Sequence, residues 1–198
     1  MNTSTIATIL GTAALGLIKS NIGSKSVYEY SEYYDRYVYA PNKISNSKRD
    51  SDKKALVTMI DFRGLDIEEI PDDYFLQFPA LKDLLLQGNK LSTLPSSLFS
   101  LHNLEKLYLA DNRGITVLPS QISNLKNLRV LGLSGTNITS LPDEIGELEN
   151  LHWIDLSYGK IRPPRREVLQ KWAKTMHPEV FIEIIQSIPK EQSELRKF

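Results

Sequence analysis

Apolar residues recur through the middle of the chain at a nearly constant spacing. From Leu81, leucine occupies the first, fourth and sixth positions, asparagine the ninth, and leucine then proline the fourteenth and fifteenth. One coil of this kind cannot bury its own apolar side, so neighbouring coils must share a core. The pattern therefore predicts a stacked repeat. Its copies start at Val57, Leu81, Leu104, Leu128 and Leu151, which lie 24, 23, 24 and 23 residues apart.

Each copy contains two apolar residues two positions apart, such as Leu84 and Leu86. In a β-strand this spacing puts both side chains on one face. Each copy is therefore predicted to form one short strand of a parallel sheet. The apolar residues that follow return the chain across the opposite side. The five repeats are predicted to span residues 55–162.

A polar residue follows each strand in the middle copies. Asn89 and Asn112 lie where a buried amide can bond backbone groups that no strand satisfies. Thr136 can supply part of that bonding, whereas Leu65 and Gly159 cannot. We therefore predict a structural ladder of Asn89, Asn112 and Thr136, complete only in the central repeats.

These residues resemble the leucine-rich-repeat family, in its Ras-suppressor-like subclass with Leu-Pro-x-x-Ile/Leu-x-x-Leu-x-x-Leu between strands. The resemblance covers roughly residues 55–188. It implies an α/β fold: a short solenoid with a parallel β-sheet on its concave face and short helical or irregular convex segments. For function, it implies that a partner binds the concave face.

The solenoid is predicted to end in a cap over residues 163–188. Pro163-Pro164 interrupts the repeat and can start a helix. The following segment, 180–185, is short and β-branched, which favours a final strand extending the sheet, with a helix as the alternative. Residues 189–198 form a polar tail. The apolar residues of the predicted cap helix are Val168, Leu169, Trp172, Ala173 and Met176.

The N-terminal segment, residues 1–26, begins with 18 residues that carry no charged side chain. We predict an apolar helix that acts as a membrane or complex anchor. A mitochondrial-type presequence and a helix that only packs in a complex are the alternatives. Lys19, Lys25 and Arg36 would keep the repeats on the cytoplasmic or matrix side. The predicted anchor residues are Ile6, Ile9, Leu10, Leu15, Leu17 and Ile18.

Residues 27–54 combine a tyrosine-rich segment with a polar linker. Val27, Tyr30, Tyr34 and Tyr37 share one helical face, and Pro41 is predicted to end that helix. Such a helix could cover the exposed edge of the first repeat. Tyrosine is also favoured at membrane surfaces and partner interfaces, so an amphipathic belt is the second interpretation.

Composition removes several classes of function. The 24 basic and 24 acidic residues balance, so no basic field draws the chain to nucleic acid. The chain has no cysteine, and its three histidines lie whole repeats apart, so no metal site is predicted. No phosphate loop or catalytic triad is evident in the spacing. We therefore expect no enzyme activity, cofactor or small-molecule substrate.

The concave face offers the strongest candidate site. Several large residues occupy variable strand positions that have no role in the predicted core, and exposed aromatic residues are typical of binding hot spots. The predicted partner-binding residues are Leu85, Lys106, Tyr108, Val130, Trp153, Asp155 and Tyr158.

Together these features predict a non-catalytic adaptor or accessory subunit. The N-terminal anchor would hold a protein-binding repeat domain within a larger, membrane-associated assembly inside the cell. The alternative is a soluble cytoplasmic regulator that binds an enzyme or small GTPase. Mitochondrial localisation also stays open.

Overall fold

A parallel sheet of six short strands organises the protein. The structure is a computed structural model that describes residues 38–39, 55, 57–159 and 161–188. The strands follow one another in chain order across the sheet, which confirms the predicted stack of one strand to each repeat. The strands are β1 (Val38–Tyr39), β2 (Met59–Asp61), β3 (Asp83–Leu85), β4 (Lys106–Tyr108), β5 (Val130–Gly132) and β6 (Trp153–Asp155).

The central residue of each repeat strand points into the core. Leu84 pairs with Leu107, and Leu107 with Leu131, so equivalent leucines stack without slipping in register. All three are fully buried. The residues on either side of them lie on the other face of the sheet, which we call the outer sheet face.

Short 3₁₀ helices form the opposite wall of the core. Three of them begin directly after Pro95, Pro119 and Pro142, whose φ angles are −66°, −72° and −66°. Proline fixes φ near this value, so each proline sets the direction in which the chain turns back. The four 3₁₀ helices are Tyr74–Gln77, Ser96–Ser100, Ser120–Asn124 and Asp143–Glu147.

The C-terminal cap consists of two helices, α1 (Arg166–Thr175) and α2 (Pro178–Ser187). The predicted final strand at 180–185 is therefore wrong. Pro178 starts α2 at a position where proline is tolerated. Val180, Ile184 and Ile188 follow at intervals of four and are all buried, so helical burial outweighs the β-propensity of the segment.

Trp172 fixes α1 to the 3₁₀ helix Asp143–Glu147 of the fourth repeat. Its side chain is 0% exposed, and its Nε1 donates a hydrogen bond to the Asp143 carbonyl oxygen at 3.0 Å. The ring passes so close to Gly146 that a Cβ there would overlap it. Ala173, predicted on the same apolar face, is exposed.

At the other edge of the sheet, β1 pairs with β2 in parallel, with Val38 opposite Met59 and Tyr39 opposite Ile60. The tyrosine helix predicted to reach Pro41 is therefore wrong at residues 38–39. Their backbone instead satisfies the free hydrogen-bonding edge of β2.

The rest of the predicted tyrosine helix, the anchor and the apolar helix of residues 1–26 lie outside the described residues. Among the residues that the structure does describe, no helix combines the length and hydropathy needed to cross a bilayer.

Candidate binding surface

Two rows of side chains run across the outer sheet face, and each row takes one residue from every repeat strand. Of the predicted partner-binding residues, five are half-buried, while Trp153 is 46% exposed and Tyr158 is 93% exposed. The half-buried five are Leu85, Lys106, Tyr108, Val130 and Asp155. The rows are Asp61, Leu85, Tyr108, Gly132 and Asp155, and Met59, Asp83, Lys106, Val130 and Trp153.

Not every position in these rows is open to a partner. Met59 and Asp83 are buried, although their places in the strand frame match that of Trp153. Asp83, at 3% exposed, lies 3.5 Å from the Lys106 ammonium on the next strand. Lys106, predicted to contact a partner, therefore already has a carboxylate partner within the chain.

Two aromatic side chains border one glycine near the C-terminal end of the sheet. Gly132 lies between Tyr108 and Trp153 on the adjacent strands. A Cβ at Gly132 would lie 3.1 Å from Cδ1 of Tyr108 and 3.9 Å from Cζ3 of Trp153. Glycine at this position therefore leaves room beside the backbone for the Tyr108 ring.

Asn89 hydrogen-bonds the backbone that follows strands β2 and β3. Its Oδ1 accepts hydrogen bonds from the backbone N–H groups of Leu65 and Ile67 at 3.1 and 3.0 Å. Its Nδ2 donates to the carbonyls of Phe62 and Leu86 at 2.7 and 2.8 Å. One buried amide thus satisfies four backbone groups from two repeats.

The hydrogen bonding weakens toward the C-terminal repeats. Asn112 accepts one hydrogen bond, from Leu91 N at 3.2 Å, and donates to the carbonyls of Leu86 and Leu109. The Thr136 hydroxyl donates to the Leu133 carbonyl at 2.7 Å. The two asparagines join adjacent repeats, whereas the hydroxyl bond of Thr136 stays within its own.

The position four residues after each buried strand centre has a left-handed backbone conformation. For most L-residues this conformation costs about 1–2 kcal/mol, but glycine adopts it freely and aspartate more readily than bulky residues. Tyr158 differs from the other four residues, which are all glycine or aspartate, and its exposed side chain has no packing to offset the cost. The residues and their φ angles are Gly64 (63°), Gly88 (68°), Asp111 (58°), Gly135 (68°) and Tyr158 (61°).

The two ends of the Asp61 row have matching aspartates with different neighbours. Asp61 accepts a hydrogen bond from the backbone of Arg63, and the Arg63 guanidinium lies 2.6 Å from the same carboxylate. Asp155 accepts the equivalent backbone bond from Ser157 at 2.9 Å. Because serine replaces arginine there, no guanidinium of its own turn neutralises Asp155.

The basic residues before the central strands also have acidic neighbours. Lys82 donates a hydrogen bond to Glu105 at 2.8 Å. That bond lowers the pKa of the Glu105 carboxyl below its usual value, and the charges of Arg129 and Lys106 act in the same direction. Glu105 therefore offsets the charge of Lys82 directly and part of the charge of Arg129.

A cleft of about 380 Å³ opens between β6 and α2. Sequence reasoning missed Glu179 and Glu183 as parts of this site, because residues four apart in a strand lie about 13 Å from each other. The helical alternative would have found them, since residues four apart share a helix face. The lining residues are His152, Trp153, Ile154, Asp155, Ser157, Glu179 and Glu183.

Histidine rings join the two walls of this cleft. His152, next to β6, and His177, which precedes α2, have ring centroids 4.7 Å apart. The His152 ring also hydrogen-bonds the Asn150 carbonyl through Nδ1. Within the described ranges, no group of three or more histidine and carboxylate side chains is arranged to hold a metal ion.

The chain forms a stack of similar coils, and each coil contributes one strand to an open parallel sheet that displays side chains. This arrangement defines the solenoid class of repeat proteins. The leucine-rich-repeat family matches residues 57–113 and 102–161, together more than half of the chain. The protein therefore belongs to the leucine-rich-repeat family. The Ras-suppressor-like subclass stays a prediction.

Solved structures of other leucine-rich-repeat proteins share the fold. A plant peptide hormone receptor, RGFR1 in complex with RGF2, is 26% identical, with a TM-score of 0.50 over 61% of this chain and 20% of that chain. The LRIM1/APL1C complex gives 22% identity and a TM-score of 0.54 over 59% of this chain and 22% of that chain. This chain thus spans about a fifth of either protein.

Internalin C2 from Listeria monocytogenes is 17% identical, with a TM-score of 0.54 over 80% of this chain and 60% of that chain. Among curated protein sequences, none matches this chain significantly.

Proposed function

We propose that this protein is a non-catalytic adaptor or accessory subunit that binds another protein on its outer sheet face, the concave face of the solenoid. The observation that carries the proposal is Tyr158. A tyrosine held in a left-handed conformation and almost fully exposed does nothing for the fold that glycine would not do better. Strain of this kind is concentrated at functional sites.

The neighbouring residues support the same surface. Trp153 is half-exposed, and its ring and that of Tyr108 each come within 4 Å of the position a Cβ on Gly132 would take. Exposed, clustered tyrosine and tryptophan residues are the most common hot spots of protein interfaces. Leucine-rich-repeat domains typically serve as interaction modules, and two of the similar structures are complexes, one with a peptide hormone and one between two proteins.

The test is capture of a partner from the native source with the full chain and two double variants. Tyr108→Ala/Trp153→Ala removes both aromatic side chains. Leu76→Ala/Val117→Ala removes two exposed apolar side chains that lie outside the sheet, as a matched control. We expect the first double variant to lose a cross-linked protein that the wild type and the control retain. Equal recovery by all three folded proteins would contradict the proposal.

The proposed tether is the uncharged segment of residues 1–18. We propose that it anchors the protein in a membrane-associated assembly with the repeats on the cytoplasmic or matrix side. Fractionation of the full chain tests this. Association that resists carbonate extraction supports the tether, whereas a soluble chain supports the alternative, a soluble regulator of an enzyme or small GTPase.

A further inference from the structure

We propose that the cleft between β6 and α2 binds an arginine side chain in an extended segment of the protein partner. This inference rests on the proposed function. It adds which chemical group of the partner binds at the C-terminal end of the outer sheet face.

The cleft is rich in unpaired carboxylates. Asp155, Glu179 and Glu183 all line the cleft, and no lysine or arginine of the described residues forms a salt bridge with any of them. Glu179 and Glu183 are four residues apart on α2, an arrangement in which like charges repel. A bound cation would relieve that repulsion.

The equivalent place in the first repeat already contains an arginine. Asp61 and Asp155 occupy the same strand position and accept the same turn hydrogen bond. The guanidinium of Arg63 donates two hydrogen bonds to the Asp61 carboxylate, from Nε at 2.9 Å and from Nη2 at 2.6 Å. At Asp155 the corresponding residue is Ser157, which leaves the carboxylate available for a guanidinium from another chain.

An aromatic side chain also lines the cleft. Trp153 is among the lining residues and is 46% exposed. A guanidinium can stack on an aromatic ring while it donates paired hydrogen bonds to a carboxylate, and an ammonium cannot do both as well. The negative charge of the cleft also disfavours phosphate groups, so a protein segment fits better than nucleic acid or an anionic lipid.

The cleft is large enough for this occupant, because small ligand sites begin at roughly 300 Å³. Its walls are α2 and β6, which the His152–His177 contact joins. The occupant would enter a site with regular secondary structure on both sides.

The probe is the peptide acetyl-Gly-Arg-Gly-Arg-Gly-amide, compared with the same peptide carrying citrulline, which keeps the shape and loses the charge, or lysine. Trp153 fluorescence in the full chain provides the readout, since the other tryptophan, Trp172, is fully buried. We expect saturable binding of the arginine peptide, with the citrulline peptide about tenfold weaker and the lysine peptide in between. Equal binding of the arginine and citrulline peptides would overturn the inference.

Two folded variants locate the binding. Asp155→Asn/Glu183→Gln should weaken the arginine peptide about tenfold. The control Glu68→Gln/Glu69→Gln makes the same change in net charge on exposed residues outside the cleft and should bind as the wild type does. If the first variant fails to fold, Ser157→Arg provides a second route, because it supplies a competing guanidinium without removing an acid.

The inference and the proposed function fail in different ways. If partner capture depends on Tyr108 and Trp153 but is unchanged in Asp155→Asn/Glu183→Gln, the partner binds this surface without the proposed arginine. If capture is unchanged in Tyr108→Ala/Trp153→Ala, the proposed function itself is wrong. Loss of capture in both variants, with the controls intact, supports both.

Discussion

At the two ends of the sheet, the same backbone frame carries different chemistry. The N-terminal end has Asp61, Arg63 and Gly64, so its carboxylate is neutralised and its left-handed turn is unstrained. The C-terminal end has Asp155, Ser157 and Tyr158 in the matching positions. No guanidinium of the described residues pairs with its carboxylate, and its left-handed turn residue is a tyrosine. The shared frame determines the fold, and the residues that depart from it mark the end of the sheet at which we propose that a partner binds.

The largest effect should come from removing the residue that holds the C-terminal end in place. Trp172→Ala is expected to lower the free energy of unfolding by about 3–5 kcal/mol, because it leaves a cavity between α1 and the 3₁₀ helix Asp143–Glu147. Native-state hydrogen exchange should show α2 and β6 losing protection before β2 and β3. Lys171→Ala, an exposed neighbour, is the control. Equal loss of protection across all strands would contradict this account of the cap.

The ladder should also differ between the two ends. Asn112→Ala leaves buried backbone groups unpaired and should cost about 1–3 kcal/mol in urea unfolding. Thr136→Ala removes one hydroxyl bond and should cost about 0.5–1.5 kcal/mol. A larger loss for Thr136→Ala would mean that its single bond matters more than the inter-repeat bonds of Asn112.

Exchanging the turn residues tests the strain directly. Tyr158→Gly should raise the stability by about 1 kcal/mol, and Gly64→Tyr should lower it by a similar amount, because only the left-handed cost changes in each case. Thermal unfolding of both single variants measures this. A loss of stability in Tyr158→Gly would show that the tyrosine has a structural role.

The smallest effect on stability should come from exchanging the residues beside the two aspartates. Arg63→Ser and Ser157→Arg alter one exposed ion pair each, which is worth about 0–1 kcal/mol. Their effects on the arginine peptide should differ widely, since Ser157→Arg places a guanidinium beside the cleft while Arg63→Ser lies at the far end. Similar affinities for the two variants would contradict the comparison on which the inference rests.

The repeat was predictable because the same apolar pattern recurs in five copies along the chain. Leu84, Leu107 and Leu131 sit in one frame, and their strands align as that frame requires. The C-terminal cap has no second copy to compare, so the β-branched residues at 180–185 were open to two interpretations. The strand interpretation also hid the pairing of Glu179 and Glu183, because residues four apart lie about 13 Å apart in a strand but about 6 Å apart on a helix.

The binding surface was predictable in part. The exposed aromatic residues follow from the strand frame, and the strain at Tyr158 could have been inferred from the glycines at Gly64, Gly88 and Gly135. The Asp61–Arg63 ion pair could not be predicted from the sequence, because it depends on side-chain conformation. Neither could the burial of Asp83, which depends on how closely the neighbouring strands pack.

Site-specific photo-cross-linking tests the central claim most directly. Benzoylphenylalanine would replace Tyr158, which is nearly fully exposed and already aromatic, and in a second protein it would replace Val117, which is exposed outside the sheet. Irradiation in the native source should join a discrete partner protein to position 158 and not to position 117. Cross-linking of that partner at position 117 alone, or equally at both positions, would contradict the account.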